Sequence, residues 1–445
     1  MKNLILSSLI SFCVAFALLG ANVPLAQGMK GAQTKLADLY VFGELGGEML
    51  GLINTETDQL VQVDLLSLPG WPQEAPTQDA AMQHVWVTPN GKTIYFTLDA
   101  IYPDPSAVIV IDVVDIDWGD GCCDGTADLV VQKILELDQP GMESEYPAVT
   151  KVPGGIPIAT WTQPGFTQAH GPAFQPHSPF TYFTHWTDNR IRGIDRRTNE
   201  LLPVLEFGDK SQQTHGVNFN QSGKLALGTG YYYDHNEIDV YKVSKGKSDL
   251  KYVKSIILGN DEAYAAWTHF TYWLNNNFAL TATMQFGPTS LTPWEATIIG
   301  PSVWLLNVAK GSAKQIIGTA ATALNPGIFL SASDLVVAGH KLYVAEEDSI
   351  NGTFGLDGSV SVFDISNINK PMFLKRLRPN DGLPDEFKVA HGLNVTPDER
   401  FVYVASYWSN YILKIDTETD EVVATFGPEE GINAPHGAFI AGAYR

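Results

Sequence analysis

One motif recurs along this chain of 445 residues: a histidine at the start of a short run of β-branched and aromatic residues. Its clearest copy is His391-Gly-Leu-Asn-Val-Thr-Pro-Asp, followed by Phe401-Val-Tyr-Val-Ala-Ser, Tyr411-Ile-Leu-Lys-Ile-Asp and Glu421-Val-Val-Ala-Thr-Phe. Because each piece is bounded by turn residues, the pattern predicts four consecutive β-strands. A unit of four strands that recurs every 45 residues or so is typical of a β-propeller blade.

Counting the copies predicts seven blades. Comparable starts stand at positions 84, 170, 215, 269, 391 and 436, and a degenerate copy begins at Ser333-Asp334. The last copy has only one strand before Arg445, and segments 39–42, 49–54 and 60–65 supply the missing three. We therefore expect an all-β, seven-bladed β-propeller, closed by pairing of the C-terminal strand with the N-terminal blade. Insertions at 101–107, 115–128 and 138–166 account for the longer spacings.

The first 28 residues have the order of a secretory signal peptide: Lys2, an apolar run over 4–19, then small residues. An uncleaved membrane anchor is the alternative, although the apolar run is short for a span. We expect residues 1–28 to be removed and residues 29–445 to form the propeller in the periplasm. With 28 basic and 49 acidic residues, the net charge of −21 argues against nucleic acid as a partner, and no membrane partner is expected.

Six of the ten histidines occupy one equivalent position, the start of the innermost strand of a blade: His84, His170, His215, His269, His391 and His436. Innermost strands line the central channel, so six imidazoles are expected to point at one small volume. Charging all six there would be costly, whereas neutral imidazole is a common metal ligand. An all-nitrogen site suits copper, zinc, iron or nickel, and copper comes first because it heads the divalent affinity order. Six ligands exceed what one tetrahedral ion uses, so we expect more than one ion, with two to three copper ions as the prediction.

The turns between second and third strands reach the same end of the channel. They carry His185, Glu346, Glu347, Tyr407 and Trp408, while the histidine-free blade offers Asp334. Groups of this kind beside a metal can move protons, so Glu347, Asp334 and His185 are the candidate catalytic residues. A solvated turn is the alternative for each.

Three families share features with this chain. The strings His391-Gly-Leu-Asn-Val-Thr-Pro-Asp and Phe401-Val-Tyr-Val-Ala-Ser resemble YVTN-type seven-bladed propellers, over nearly the whole mature chain. The histidine positions resemble those of thiocyanate dehydrogenase and of the catalytic propeller of nitrous-oxide reductase. The resemblance to thiocyanate dehydrogenase implies a multinuclear copper centre that oxidises thiocyanate to cyanate and sulfur. It also implies an inorganic anion as substrate and a separate periplasmic electron acceptor, such as a cytochrome c.

A second site is predicted in the insertion over 115–128. Asp115, Asp117, Asp120 and Asp124 resemble the carboxylates of a calcium loop, although no Glu closes it. An acidic solvated hairpin is the alternative. Cys122 and Cys123 lie inside this segment, either as a strained disulfide or as two thiols.

Two other functions stay open. A non-catalytic propeller could bind a metal or another ligand, and some YVTN-like propellers are lactonase-type hydrolases that use one divalent ion. Lactonase hubs contain Glu, Asn and Asp, whereas histidine dominates this one.

Overall fold

The computed structural model describes residues 39–44, 48–71, 81–101, 107–120, 123–137, 166–167, 169–185, 190–203, 205–206, 214–230, 236–243, 248–259, 267–284, 301–318, 332–347 and 358–442. These segments contain β-strands and two short 3-10 turns, Leu65–Ser67 and Pro428–Glu430, but no α-helix. No helix in them is long and apolar enough to cross a membrane. The predicted signal peptide lies outside the described residues.

The strands form seven antiparallel sheets, confirming the predicted seven-bladed β-propeller. Blade 1 contains β31 (Pro435–Ile440), β1 (Leu39–Glu44), β2 (Met49–Asn54) and β3 (Leu60–Asp64). Blade 2 contains β4 (Ala81–Val87), β5 (Thr93–Ile101), β6 (Ala107–Asp117) and β7 (Thr126–Glu136), with β8 (Phe166–Thr167) paired to β5. Blade 3 contains β9 (Ala169–Phe174), β10 (Phe180–His185), β11 (Arg190–Asp195) and β12 (Glu200–Leu201), with β13 (Leu205–Glu206) paired to β11.

The remaining four blades follow the same order from the axis outwards. Blade 4 contains β14 (Thr214–Phe219), β15 (Leu225–Gly230), β16 (Glu237–Val243) and β17 (Leu250–Ile257). Blade 5 contains β18 (Trp267–Trp273), β19 (Phe278–Met284), β20 (Ser302–Asn307) and β21 (Ser312–Gly318). Blade 6 contains β22 (Ala332–Ala338), β23 (Lys341–Glu346), β24 (Ser359–Asp364) and β25 (Met372–Pro379), with β26 (Gly382–Leu383) parallel to β25. Blade 7 contains β27 (Gly392–Val395), β28 (Phe401–Ser406), β29 (Tyr411–Asp416) and β30 (Glu421–Phe426).

The two ends of the described chain meet in blade 1. β31 pairs with β1 in antiparallel register, with Tyr40 opposite Ile440 and Gly43 opposite His436. This pairing removes the open sheet edges that an unclosed propeller would expose. Closure is consistent with the prediction, and it places His436 beside the other innermost strands.

Apolar residues between neighbouring blades hold the assembly together. Strands buried on both sheet faces have near-continuous apolar sequences, such as Ala107–Ile111 in β6. Trp86 is fully buried between blades 2 and 3, and its indole nitrogen donates to Thr181 Oγ1 at 3.1 Å. Packing on both sides fixes each innermost strand, and therefore the direction of the side chain at its start.

Candidate metal centre

The six histidines of the repeat form one closed ring of imidazoles around the channel axis. Neighbouring ring centroids lie 3.8 Å apart for His84–His170, 3.7 Å for His170–His215, 4.1 Å for His215–His269, 4.8 Å for His269–His391, 4.8 Å for His391–His436 and 5.2 Å for His84–His436. The structure therefore brings together all six residues that the sequence placed on one register. We call them the histidine ring.

In six of the seven blades the pairing of the innermost strand with its neighbour shifts register close to the position of the ring histidine, or to the equivalent position in blade 6. In β4, Met82 pairs with Leu98 and Val85 with Phe96, so two residues, one of them His84, oppose a single residue of β5. Equivalent register shifts occur near the start of β9, β14, β18, β22 and β31. Such bulges bend a strand and re-aim a side chain, which explains how a residue within a sheet can point to the axis.

Hydroxyl groups on the second strands fix the backbone of the ring. Thr184 Oγ1 lies 3.0 Å from the carbonyl oxygens of both His170 and His215, and so joins blades 3 and 4. Thr229 Oγ1 donates to the His269 carbonyl at 2.6 Å, joining blades 4 and 5. Sequence reasoning missed these residues, although a threonine near the end of the second strand recurs in blades 2 to 5.

Close approach of blades 3 and 4 also depends on Gly171, which follows His170. Its φ is +49°, and a Cβ atom there would lie 2.3 Å from the His215 carbonyl oxygen. Any larger residue would push the two strands apart. The glycine therefore permits the shortest contact in the ring, the one between His170 and His215.

Four members of the ring are held in the neutral form. Burial lowers the pKa of His84, His170, His215 and His269 well below the ordinary value, and electrostatic repulsion from neighbouring imidazoles lowers each of these pKa values further. All four side chains are at most 5% exposed. Neutral imidazole is the form that binds metal ions.

Three observations indicate which imidazole nitrogens of the ring can act as metal ligands. His170 Nδ1 lies 3.0 Å from the His215 carbonyl, which can only accept, so Nδ1 carries the proton and Nε2 has the lone pair. His391 Nδ1 bonds to a Glu347 carboxylate oxygen, which likewise leaves Nε2 to face a ligand. His84 Nε2 is buried with no hydrogen-bond partner. Carbonyl and carboxylate partners of this kind orient metal-binding histidines.

Spacing within the ring is uneven. A metal–imidazole bond of about 2.0 Å places the centroids of two rings on one ion roughly 4.5–5.3 Å apart. The three contacts that involve His391 or His436 have this spacing, at 4.8, 4.8 and 5.2 Å. The other three are closer, and no group of three or more described His, Cys, Asp or Glu side chains is already arranged as a metal site. The donor set fits a transition metal by chemistry, and His170, His215 and His269 would have to spread to share one.

Blade 6 has no ring histidine, but the start of its innermost strand bonds to the backbone around His391. Its Ser333 Oγ donates to the carbonyls of Ala390 and His391, at 3.2 and 3.3 Å. Asp334, a predicted catalytic residue, accepts from the amides of Leu335 at 2.8 Å and Leu393 at 2.9 Å, one with each carboxylate oxygen. These bonds tie blade 6 to blade 7, so the contacts of Asp334 are those of a structural link.

The carboxylate at the ring comes instead from Glu347, just after β23. Its side chain is 3% exposed and binds His391. Tyr407 lies on the same side of the histidine ring, with its ring centroid 5.0 Å from that of His391 and 5.5 Å from that of His436. Burial, and then the charge of Glu347, raises the pKa of Tyr407 far above its ordinary value, so the phenol stays protonated. This side of the histidine ring therefore has a hydrogen-bond acceptor, the Glu347 carboxylate, and a hydrogen-bond donor, the Tyr407 phenol.

Glu346, next to this carboxylate, belongs to a separate buried network. It accepts from Ser361 Oγ and lies 3.3 Å from Arg376 Nη2, whose side chain is also buried. Because Arg376 compensates its charge, Glu346 serves to anchor β23 rather than to face the ring.

Three further histidines are not members of the ring. His185 ends β10 at the ring side, but its side chain is not among those described. His177 is exposed in the turn after β9, at the opposite end of that strand from His170. His340 lies in the β22–β23 turn.

The predicted calcium loop is an extension of the β6–β7 hairpin. Asp115 and Asp117 lie in the strand ladder, opposite Asp128 and Thr126, and are exposed. Among the described carboxylates, including Asp120 and Asp124, no group is already arranged as a metal site, and calcium binding by this segment stays a prediction. Cys123 is exposed, and Cys122 lies outside the described residues.

Comparisons with known proteins define the class. No family model and no curated protein matches the chain. Among solved structures, a hypothetical selenium-binding protein from Sulfolobus tokodaii matches with a TM-score of 0.57 and 14% identity, covering 92% of this chain and 95% of that one. The periplasmic gluconolactonase of Pseudomonas aeruginosa matches at 0.54 and 11%, covering 90% and 98%. Hydrazine synthase from Kuenenia stuttgartiensis matches at 0.51 and 13%, covering 80% and 90%. At these identities the similarity shows the fold alone: this chain is a seven-bladed β-propeller, and the structures that it matches are of propeller type.

Proposed function

We propose that the chain is an exported, periplasmic metal-dependent oxidoreductase whose histidine ring binds two to three copper ions. The observation that carries the proposal is the closed ring of six imidazoles, five of them buried and four with lowered pKa values. An isolated core histidine needs no such partners, and six imidazole nitrogen donors around one axis match the preferences of copper. Bound copper would supply single-electron redox chemistry and a Lewis acid.

The chain's own residues would prepare this site. The Nε2 atoms of His170 and His391 are expected to face the ions, because their Nδ1 atoms are engaged elsewhere. Glu347 holds the proton of His391 Nδ1 and is a carboxylate in contact with the ring that could accept a proton released in the reaction. The protonated phenol of Tyr407 lies beside His391, where it could donate a hydrogen bond to an anion.

A small inorganic anion is the proposed substrate, and thiocyanate is the first to test. Its oxidation consumes one water and yields cyanate, elemental sulfur, two protons and two electrons, so charge and atoms balance. The electrons require a separate acceptor, for which a periplasmic cytochrome c is the proposed class. Since the net charge of −21 disfavours anion approach, attraction would come from the positive charge of the bound ions.

The test is turnover of thiocyanate by the mature, copper-loaded protein with an electron acceptor. We expect cyanate and two electrons per thiocyanate, and loss of this activity in His391→Ala. The matched control is His177→Ala, an exposed histidine at the other end of β9. Equal turnover by wild type and His391→Ala would refute a role for the ring.

Two alternatives predict different results in the same preparation. A lactonase-type hydrolase, the activity named for the gluconolactonase neighbour, would open sugar lactones without an electron acceptor. A metal-binding propeller without catalysis would hold the ions but turn over neither thiocyanate nor lactones.

A further inference from the structure

The turn after β28 connects the histidine ring to solvent through two aromatic side chains. Tyr407 contacts His391 and His436, with centroid distances of 5.0 and 5.5 Å. The next residue, Trp408, has its indole 6.5 Å from the Tyr407 ring and is 49% exposed. Distances of 4.5–7 Å are those of aromatic rings in contact. An unbroken series of π-systems therefore runs from the ring to the surface.

Trp408 differs in position from the other exposed apolar side chains. Tyr252, Met372 and Val423 lie on the outermost strands β17, β25 and β30, far from the axis. Scattered residues of that kind are normal on a protein surface. Trp408 instead stands one residue from a side chain that touches two members of the ring.

The surface around this turn is acidic. Asp385, Glu386 and Glu429 are exposed, and the charges of Glu386 and Glu429, after burial, contribute to raising the pKa of the adjacent Tyr411. Glu386 and Glu429 therefore lie within electrostatic range of Tyr411, the residue that follows the 407–410 turn. A negative patch of this sort favours encounter with a positively charged partner.

We propose that Trp408, Glu386 and Glu429 form the docking face for a basic one-electron carrier protein, and that electrons leave the ring through Tyr407 and Trp408. The inference rests on the proposed function and adds the place where its acceptor binds. In each encounter the metal of the ring loses one electron and the oxidised carrier gains it. No bond forms or breaks in this step and no proton moves, so a two-electron oxidation needs two encounters.

The test uses copper-loaded protein that has been reduced with ascorbate and freed of the excess reductant, mixed rapidly with either a basic c-type cytochrome or ferricyanide. Because the protein is already reduced, no substrate is needed. We expect Trp408→Ala to lower the rate of cytochrome reduction by about tenfold or more, as loss of a central aromatic anchor does. The rate with ferricyanide should fall less than the rate with the cytochrome, because a small ion needs no docking face, and the copper content should stay at the wild-type value. Tyr252→Ala, which removes an exposed aromatic from β17, is the matched control.

A second measurement does not depend on copper. Calorimetric titration of the metal-free protein with the cytochrome at low salt should show weaker binding for Trp408→Ala. The double variant Glu386→Gln/Glu429→Gln should reduce the dependence of the affinity on salt.

The outcomes separate the two proposals. If wild type reduces both acceptors and Trp408→Ala reduces and binds the cytochrome equally well, the docking face is wrong while the copper function stands. If the reduced wild-type protein passes electrons to neither acceptor, the proposed function fails, and the inference that rests on it fails as well.

Discussion

Acid should destabilise the metal-free protein through its buried imidazoles. Burial lowers the pKa of four ring members, His84, His170, His215 and His269, in the folded state. In the unfolded chain a histidine has a pKa near 6.5, so below that pH the unfolded state binds more protons than the folded state. Stability is therefore fully present above pH 6.5 and is lost as the pH falls towards the lowered folded values.

The magnitude follows from linkage. When the pH is lowered from 7.5 to 5.5, each histidine that stays neutral in the folded state lowers the unfolding free energy by about 1.4 kcal/mol. Four such residues give a loss of about 5.5 kcal/mol, a large fraction of the stability of a typical domain. Replacing two of them, in His215→Gln/His269→Gln, should reduce the loss by about 2.7 kcal/mol.

The assay is guanidinium unfolding of metal-free protein at the two pH values, followed by tryptophan fluorescence. The many carboxylates contribute their own pH dependence, so the comparison is the difference between wild type and the double variant. His177→Gln/His340→Gln, which changes two histidines in turns outside the ring, is the control and should behave as wild type. The same pH dependence in the ring variant and in wild type would refute the reasoning.

Three further substitutions test individual contacts. Glu347→Gln should weaken metal binding by about tenfold or more, since it removes the carboxylate that orients His391; equilibrium titration with copper measures this. Thr184→Val should lower the unfolding free energy by about 1–3 kcal/mol, because two carbonyls lose a buried donor, and Thr184→Ser should restore it. Lys414→Met should cost a similar 1–3 kcal/mol or so in unfolding experiments, because the buried Nζ that bonds Asp58 joins blade 7 to blade 1.

Much of the architecture is readable from the sequence because each blade repeats the same local pattern. His436 could be placed in the ring before any coordinates, since its strand lacks three partners that segments near 39–65 supply. The repeated strand pattern predicts the blade to which each histidine belongs, and the insertions do not change that pattern. The innermost position of each histidine follows from strand order within a blade.

The electrostatic partners of the ring depend on packing that no repeat encodes. Glu347 lies one residue beyond β23, and only the fold shows that it reaches His391 in the next blade. Asp334 has the more obvious position, at the register of the ring, yet both of its oxygens bind backbone amides. A sequence does not distinguish a carboxylate that faces a channel from one that links two strands.

The acidic hairpin was ambiguous for a related reason. Alternate aspartates suit both a curled cation loop and an extended strand, and Asp115 and Asp117 differ between the two only in backbone conformation. Pairing of β6 with β7 places Asp115 and Asp117 in an extended strand, and calcium binding by the hairpin stays a prediction.

Metal analysis of the mature protein tests the central claim most directly. Protein purified from the periplasm without chelators should contain two to three copper ions per chain, and this number should fall in both His391→Ala and His436→Ala while the His177→Ala control keeps it. Absence of any transition metal from the wild type, or copper that stays when both ring histidines are replaced, would contradict the account.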